Sequence, residues 1–232
     1  MPKTVIINGS PKPKESASKM LIEKIQEFLE NKPTIYHASG LVRQEDYSEE
    51  LSNILNSDIL LFVFPLYVDS LPAPLIKLLT IIEQERALIE EKTSMGEQKG
   101  IDINRKLPII YAITNCGFFE AEHNQIALDI IKNFSSSVGM RWGYGIGIGG
   151  GGYIASNSKH ISKKGSASNV YNAFCELGGA MENNIEKKEN VFLTPTMPRF
   201  LYKFSGNLSW YLMAIKNGSL TSLKAKPHTS KS

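Results

Sequence analysis

Apolar residues recur along this chain in two alternating rhythms. Runs with almost no polar interruption, at 4–7, 34–37, 59–64, 109–114 and 142–148, alternate with stretches where apolar residues return every three or four positions. The first rhythm is that of strands covered on both faces, the second that of amphipathic helices. Leu21, Ile22, Ile25, Phe28 and Leu29 share a helical face, as do Leu51, Ile54 and Leu55, and again Leu75, Leu78, Leu79 and Ile82. Ile126, Ile130, Ile131 and Phe134 predict a fourth helix; Val170, Phe174, Leu177 and Met181 predict a fifth. This alternation predicts an α/β fold, a doubly wound five-stranded parallel sheet in the order 2-1-3-4-5. Ligands of such sheets bind at the carboxyl ends of strands 1, 3 and 4. Any chemistry is therefore expected in the loops after Ile7, Phe64 and Thr114.

Two stretches stand outside the rhythm. Residues 92–106 are polar, contain Gly96 and Gly100, and read as a loop inserted before the fourth strand. Residues 190–194 read as a short extra strand. After Pro195 and Pro198, residues 200–216 form a helical pattern with Phe200, Tyr202, Phe204, Trp210 and Tyr211, interrupted by Gly206. A docking helix that closes the core is the favoured reading; capping the site, a dimer interface and a membrane surface are the other uses open to it. The expected organisation is one domain over 1–187, a packed helical extension over 188–219, and a disordered tail over 220–232.

Composition narrows the partners. The 26 basic and 23 acidic residues leave a formal charge of +3. Lys216, Lys224, Lys226 and Lys231 sit in an acid-free end, and without them 22 basic residues face 23 acidic ones. A near-neutral body argues against nucleic acid. With only Cys116 and Cys175, no zinc or iron–sulfur ligand set is present, and no metal is expected. The N-terminus lacks a signal-peptide pattern and no apolar segment is long enough to span a bilayer, so a cytoplasmic location is expected.

The first loop, Asn8-Gly9-Ser10-Pro11-Lys12 with Ser16 and Ser18 after it, breaks from an apolar run into small, hydroxylated and basic residues that lead into a helix. Helix N-termini attract phosphate through their unpaired N–H groups and macrodipole. The local pattern fits a phosphate about as well as a plain turn and N-cap. The second loop, Pro65-Leu66-Tyr67-Val68, runs into Pro72 and Pro74, which suit the first turn of a helix. Such a stiff wall, with outward backbone groups near Leu66–Val68 and Tyr67 at its edge, suits a flat heteroaromatic ring. In the third loop, Thr114-Asn115-Cys116-Gly117-Phe118, Gly117 allows close approach, and the N–H groups of Asn115 to Phe118 suit negative charge on a reduced flavin. Cys116 lacks a resolving partner and reads as a small loop residue; His123 reads as a surface histidine. Gly145, Gly147 and Gly150 match G-x-G-x-x-G, but polar sequence follows, with the next helix expected only near Ser166. The dinucleotide fingerprint needs a helix at once. These glycines therefore read as a flexible loop.

With those loops in hand, the chain resembles the flavodoxin-like NADPH-dependent FMN reductase family. The resemblance rests on Asn8 to Lys12 with Ser16-Ala17-Ser18, on Pro65 to Val68 and on Thr114 to Phe118. It covers about residues 1 to 150. It implies that Ser10, Lys12, Ser16, Ala17 and Ser18 take the FMN phosphate, and that Pro65, Leu66, Tyr67, Val68, Thr114, Asn115, Cys116, Gly117 and Phe118 flank the isoalloxazine. Two departures stand out: Lys12 replaces the family's usual arginine, and Ala17 its frequent central asparagine. The implied activity is hydride transfer from NAD(P)H through FMN to a quinone, a nitro or azo compound or free flavin, with no acid–base residue assigned. A homodimer is expected by resemblance. A flavodoxin-type carrier is the alternative, disfavoured because the strongly acidic surface is missing.

Overall fold

Strands β1 (Thr4–Asn8), β2 (Thr34–His37), β3 (Ile59–Pro65), β4 (Ile109–Asn115), β5 (Arg141–Ile148) and β6 (Val191–Leu193) form one parallel sheet in the order β2-β1-β3-β4-β5-β6. Among the described residues eight α-helices connect or follow them: α1 (Ala17–Ile25), α2 (Ala38–Leu41), α3 (Ser48–Leu55), α4 (Ala73–Ser94), α5 (Gln125–Ser137), α6 (Gly151–Ser156), α7 (Ser168–Glu182) and α8 (Arg199–Lys216). The computed structural model describes residues 2–12, 14–94, 106–196 and 198–220. Most of the expected 92–106 loop and nearly all of the expected 220–232 tail lie outside them. Residues 92–94, expected in that loop, are instead the last turn of α4.

The order 2-1-3-4-5 is present, but the sheet has six strands, not five. Val191 pairs opposite Ile146 and Leu193 opposite Ile148, so the short segment after α7 extends the sheet. The short strand expected at 190–194 is present as β6, and its place beside β5 is made by a glycine. A Cβ on Gly147 would stand 2.7 Å from the Phe192 ring.

Neighbouring residues of the central strands enter opposite cores. Val5, Ile7, Leu60, Phe62 and Phe64 pack on the side of α3, α4 and α5. Ile6, Leu61, Val63, Tyr111 and Ile113 pack on the side of α1 and α7. Both faces are buried, which is why the strands read as unbroken apolar runs. Helix α7 buries Val170, Phe174, Leu177 and Met181 as its spacing predicts. Helix α5 is rotated from its expected face: Ala127, Leu128, Ile131 and Phe134 are buried, while Ile126 is exposed. Gly145 explains the rotation, because its missing Cβ leaves room for the Leu128 side chain at 2.6 Å.

Tyr111 is buried in the second core and donates to the carbonyls of Ile185 (2.7 Å) and Ala180 (3.1 Å). Burial, then the charge of Glu186, pushes its phenol up to about 12. A raised folded-state value stabilises fully below the unfolded value of about 10 and is lost as pH rises towards 12. Stability should therefore fall by about 3 kcal/mol over that window. In Tyr111→Phe this part of the alkaline slope should vanish; denaturant midpoints across pH check it.

The chain divides into two compact units, residues 1–196 and 197–232. The first holds the sheet and α1 to α7. Within the second, α8 is an 18-residue helix.

Candidate functional site

The loops after β1, β3 and β4 leave the sheet at its carboxyl edge and stay tied to one another. Gly9 N–H donates to Val63 O (2.9 Å), Leu66 N–H to Asn115 O (2.8 Å), and Cys116 N–H to Ile148 O (3.0 Å). Gly149 N–H continues the series to Leu193 O at 3.0 Å. The parallel ladder thus runs one residue past each strand and holds the first, second and third loops side by side. Gly9 allows this tight exit, since a Cβ there would lie 2.8 Å from Phe64 and Leu75.

In the first loop Asn8 and Ser10 are buried. Asn8 Oδ1 accepts from Ser10 N–H (2.9 Å), and Ser10 Oγ accepts from Lys12 N–H (3.2 Å), which folds the loop back on itself. Lys12 is exposed. Ser16 is the N-cap of α1, its Oγ accepting from Lys19 N–H at 3.2 Å. Ala17 and Ser18 then open the helix, where N–H groups have no intrahelical acceptor. The first turn of α1 contains no acid. At the end of β2, His37 is held below the usual imidazole value by burial and then by the charge of Lys19.

The second loop is a tight turn. Tyr67 and Ser70 exchange both backbone hydrogen bonds (3.0 Å each), while Val68 (φ 48°) and Asp69 (φ 54°) occupy the left-handed region. The expected outward N–H groups of Leu66 and Tyr67 are therefore consumed internally. Val68 and the Tyr67 ring are exposed, and Pro65 and Leu66 are partly so. Left-handed φ at a β-branched residue costs about 1–3 kcal/mol, and such strain concentrates at ligand-binding loops. Val68→Asn with Asp69→Gly supplies the residues this turn prefers. The pair should stabilise the protein by about 1–2 kcal/mol, which denaturant midpoints check.

The third loop is built around Asn124, a fully buried residue that sequence reasoning missed. Its Nδ2 donates to Ala121 O (2.9 Å), Ile148 O (3.3 Å) and Cys116 Sγ (3.3 Å), and its Oδ1 accepts from Thr114 Oγ1 (3.1 Å). Burial pushes the Cys116 thiol up, so it stays protonated and structural. Cys116 N–H is spent on the sheet, which removes it from the amides expected to face an anion. A Cβ on Gly117 would meet nothing within 4 Å. Phe118 is exposed and its ring lies 4.3 Å from that of His123.

The glycine-rich segment also differs from the expected flexible loop. Gly145 and Gly147 are within β5, and the six-residue α6 opens directly after Gly150, far earlier than Ser166. Gly150 N–H donates to Phe118 O (2.5 Å) and Gly151 N–H to Cys116 O (2.7 Å), so the segment buttresses the third loop.

Three buried side-chain atoms at this edge have no hydrogen-bond partner among the described residues: Asn8 Nδ2, Ser18 Oγ and Asn115 Oδ1. One comes from the first loop, one from the start of α1 and one from the end of β4. Buried polar atoms are rarely left unpaired, so these three stand out at the edge of the sheet where such folds bind ligands. Asn8 and Asn124 had one legible signal, a polar side chain where the apolar rhythm predicts burial.

No protein-family model matches the chain, and no curated protein matches it. Solved structures do. The fold is similar to an NADH:FMN oxidoreductase in its apo form, with a TM-score of 0.55, 14% identity, and coverage of 86% of this chain and 97% of that one. It is also similar to the NAD(P)H:quinone oxidoreductase of Methanothermobacter marburgensis (TM-score 0.50, 16% identity, 78% and 98% covered). A WrbA-like flavodoxin from Agrobacterium tumefaciens matches at TM-score 0.50 and 12% identity, over 79% and 97% of the two chains. The chain has the flavodoxin-like fold, the architecture implied by its resemblance to the FMN reductases.

Proposed function

We propose that this protein is an FMN-dependent NAD(P)H oxidoreductase whose acceptor is a quinone, a nitro or azo compound, or free flavin. One observation carries the reading: three loops tied along the carboxyl edge, with unpartnered buried atoms on Asn8, Ser18 and Asn115. Ser10, Ser18 and the opening N–H groups of α1 bind the phosphate, with Lys12 supplying charge. Tyr67 and Val68 bound the ring on one side, and Gly117 and Phe118 on the other. Bound FMN supplies the hydride acceptor for the nicotinamide and the donor for the second substrate. The protein's share is to bind, orient and shield, which is consistent with a site built of amides, hydroxyls and aromatic rings. The fold similarity to an NADH:FMN oxidoreductase and a quinone oxidoreductase supports this reading.

The test is the absorbance of the purified protein during anaerobic titration with NADH or NADPH. A flavin spectrum that bleaches is expected. A flavin that stays oxidised with both nucleotides makes the protein an FMN electron carrier, and a colourless protein that takes up no added FMN overturns the reading.

A further inference from the structure

Helix α8 is amphipathic, and nothing described within its own unit covers its apolar face. At 100° per residue, Phe200, Phe204, Leu208, Tyr211 and Ile215 line one stripe, with Leu201 and Leu212 beside it. All seven are exposed, Phe200 to 69%. Arg199, Lys203, Asn207 and Lys216 lie off the stripe, and the exposed Trp210 and Met213 lie among them. An apolar stripe of this length that its own unit leaves uncovered marks an interaction surface.

Charge identifies the occupant. From Asn190 to the last residue the sequence contains no Asp or Glu, and it carries Arg199, Lys203, Lys216, Lys224, Lys226 and Lys231. The residues before it hold 20 basic and 23 acidic side chains, so the cationic character is concentrated at this end. Two such segments repel each other, which disfavours pairing of α8 with its own copy. An anionic surface is attracted. Among the described residues no helix is long and apolar enough to cross a membrane. An amphipathic helix with Phe, Tyr and Leu on one face and Lys and Arg on the other instead lies in the plane of the headgroup region. We infer that α8 docks this protein onto anionic lipid bilayers, its apolar stripe at the acyl boundary and its cations on the headgroups.

Flotation of the full chain with vesicles tests this. The protein should float with equal mixtures of phosphatidylcholine and phosphatidylglycerol, not with phosphatidylcholine alone, and high salt should release it. Phe204→Glu with Leu208→Glu should cut the floating fraction by about tenfold. Both positions are exposed, so the circular dichroism and melting midpoint should be those of the parent. The inference is overturned if the parent fails to float, if both lipid mixtures bind it equally, or if the double variant floats like the parent. It is equally overturned if the parent is a dimer that the double variant dissociates, because a second copy then covers the stripe.

Discussion

Replacing Ser18 with alanine is expected to raise the melting midpoint of the flavin-free protein while lowering its affinity for FMN. Ser18 is fully buried and its hydroxyl has no partner among the described residues. An unpaired buried hydroxyl costs about 1–3 kcal/mol, and alanine is also the better helix former in α1. The net gain should be about 1 kcal/mol, a rise of about 2–4 °C for a chain of this size. Under the proposed function the same hydroxyl donates to the FMN phosphate. A hydrogen bond to a charged group contributes about 1.5–3 kcal/mol, so Ser18→Ala should weaken FMN binding about 10- to 100-fold. Ser16, two residues earlier, should behave oppositely. Its hydroxyl already caps Lys19 N–H, and Ser16→Ala should cost about 1 kcal/mol of stability. Calorimetry of the flavin-free proteins and flavin fluorescence titrations read both quantities. A Ser18→Ala protein that melts earlier and binds FMN unchanged would show the hydroxyl to be structural.

The two serines also mark how far the sequence could be read. Strand–helix alternation is written in side chains, so the sheet order and most of the helices were legible in it. What escaped depends on groups the alternation does not contain. The sequence marks a short strand at 190–194 but not that it joins β5, where Gly147 leaves room for Phe192, and α5 is rotated because Gly145 admits Leu128. A missing side chain leaves no periodic signal of what fills its space. The loops were legible as a set, since each interrupts an apolar run with small or polar residues. Which backbone amides remain for a ligand was not legible. Leu66 and Cys116 give theirs to neighbouring strands, and Tyr67 to a turn held by two left-handed residues. Such pairings are fixed only when distant segments meet. Asn124 shows the same limit: ten residues of sequence separate it from Thr114, yet its value lies in bonding three segments at once.

Gly149→Ala should be the most damaging single-methyl change at this edge. The backbone of Gly149 lies against that of Phe119, and an added Cβ would collide with the Phe119 carbonyl and stand 3.0 Å from Ala121 N. Side-chain collisions can be relieved by a change of rotamer, but backbone ones require a segment to move. Gly149 cannot move freely, because its N–H is held by Leu193 O and the next two amides by Phe118 O and Cys116 O. The third loop must therefore shift, carrying Gly117 and Phe118 with it. The expected loss is about 3 kcal/mol of stability, together with at least about tenfold weaker flavin binding even where the protein remains folded. Gly152→Ala provides the control three residues on. Its added Cβ meets nothing within 4 Å and lies in α6, so it should be neutral or stabilising by up to about 1 kcal/mol. Denaturant midpoints and FMN titrations of the two variants separate steric displacement of the loop from any general intolerance of the glycine-rich segment. Equal behaviour of the two would mean that the contact between β5 and the third loop does not position the ring-binding residues.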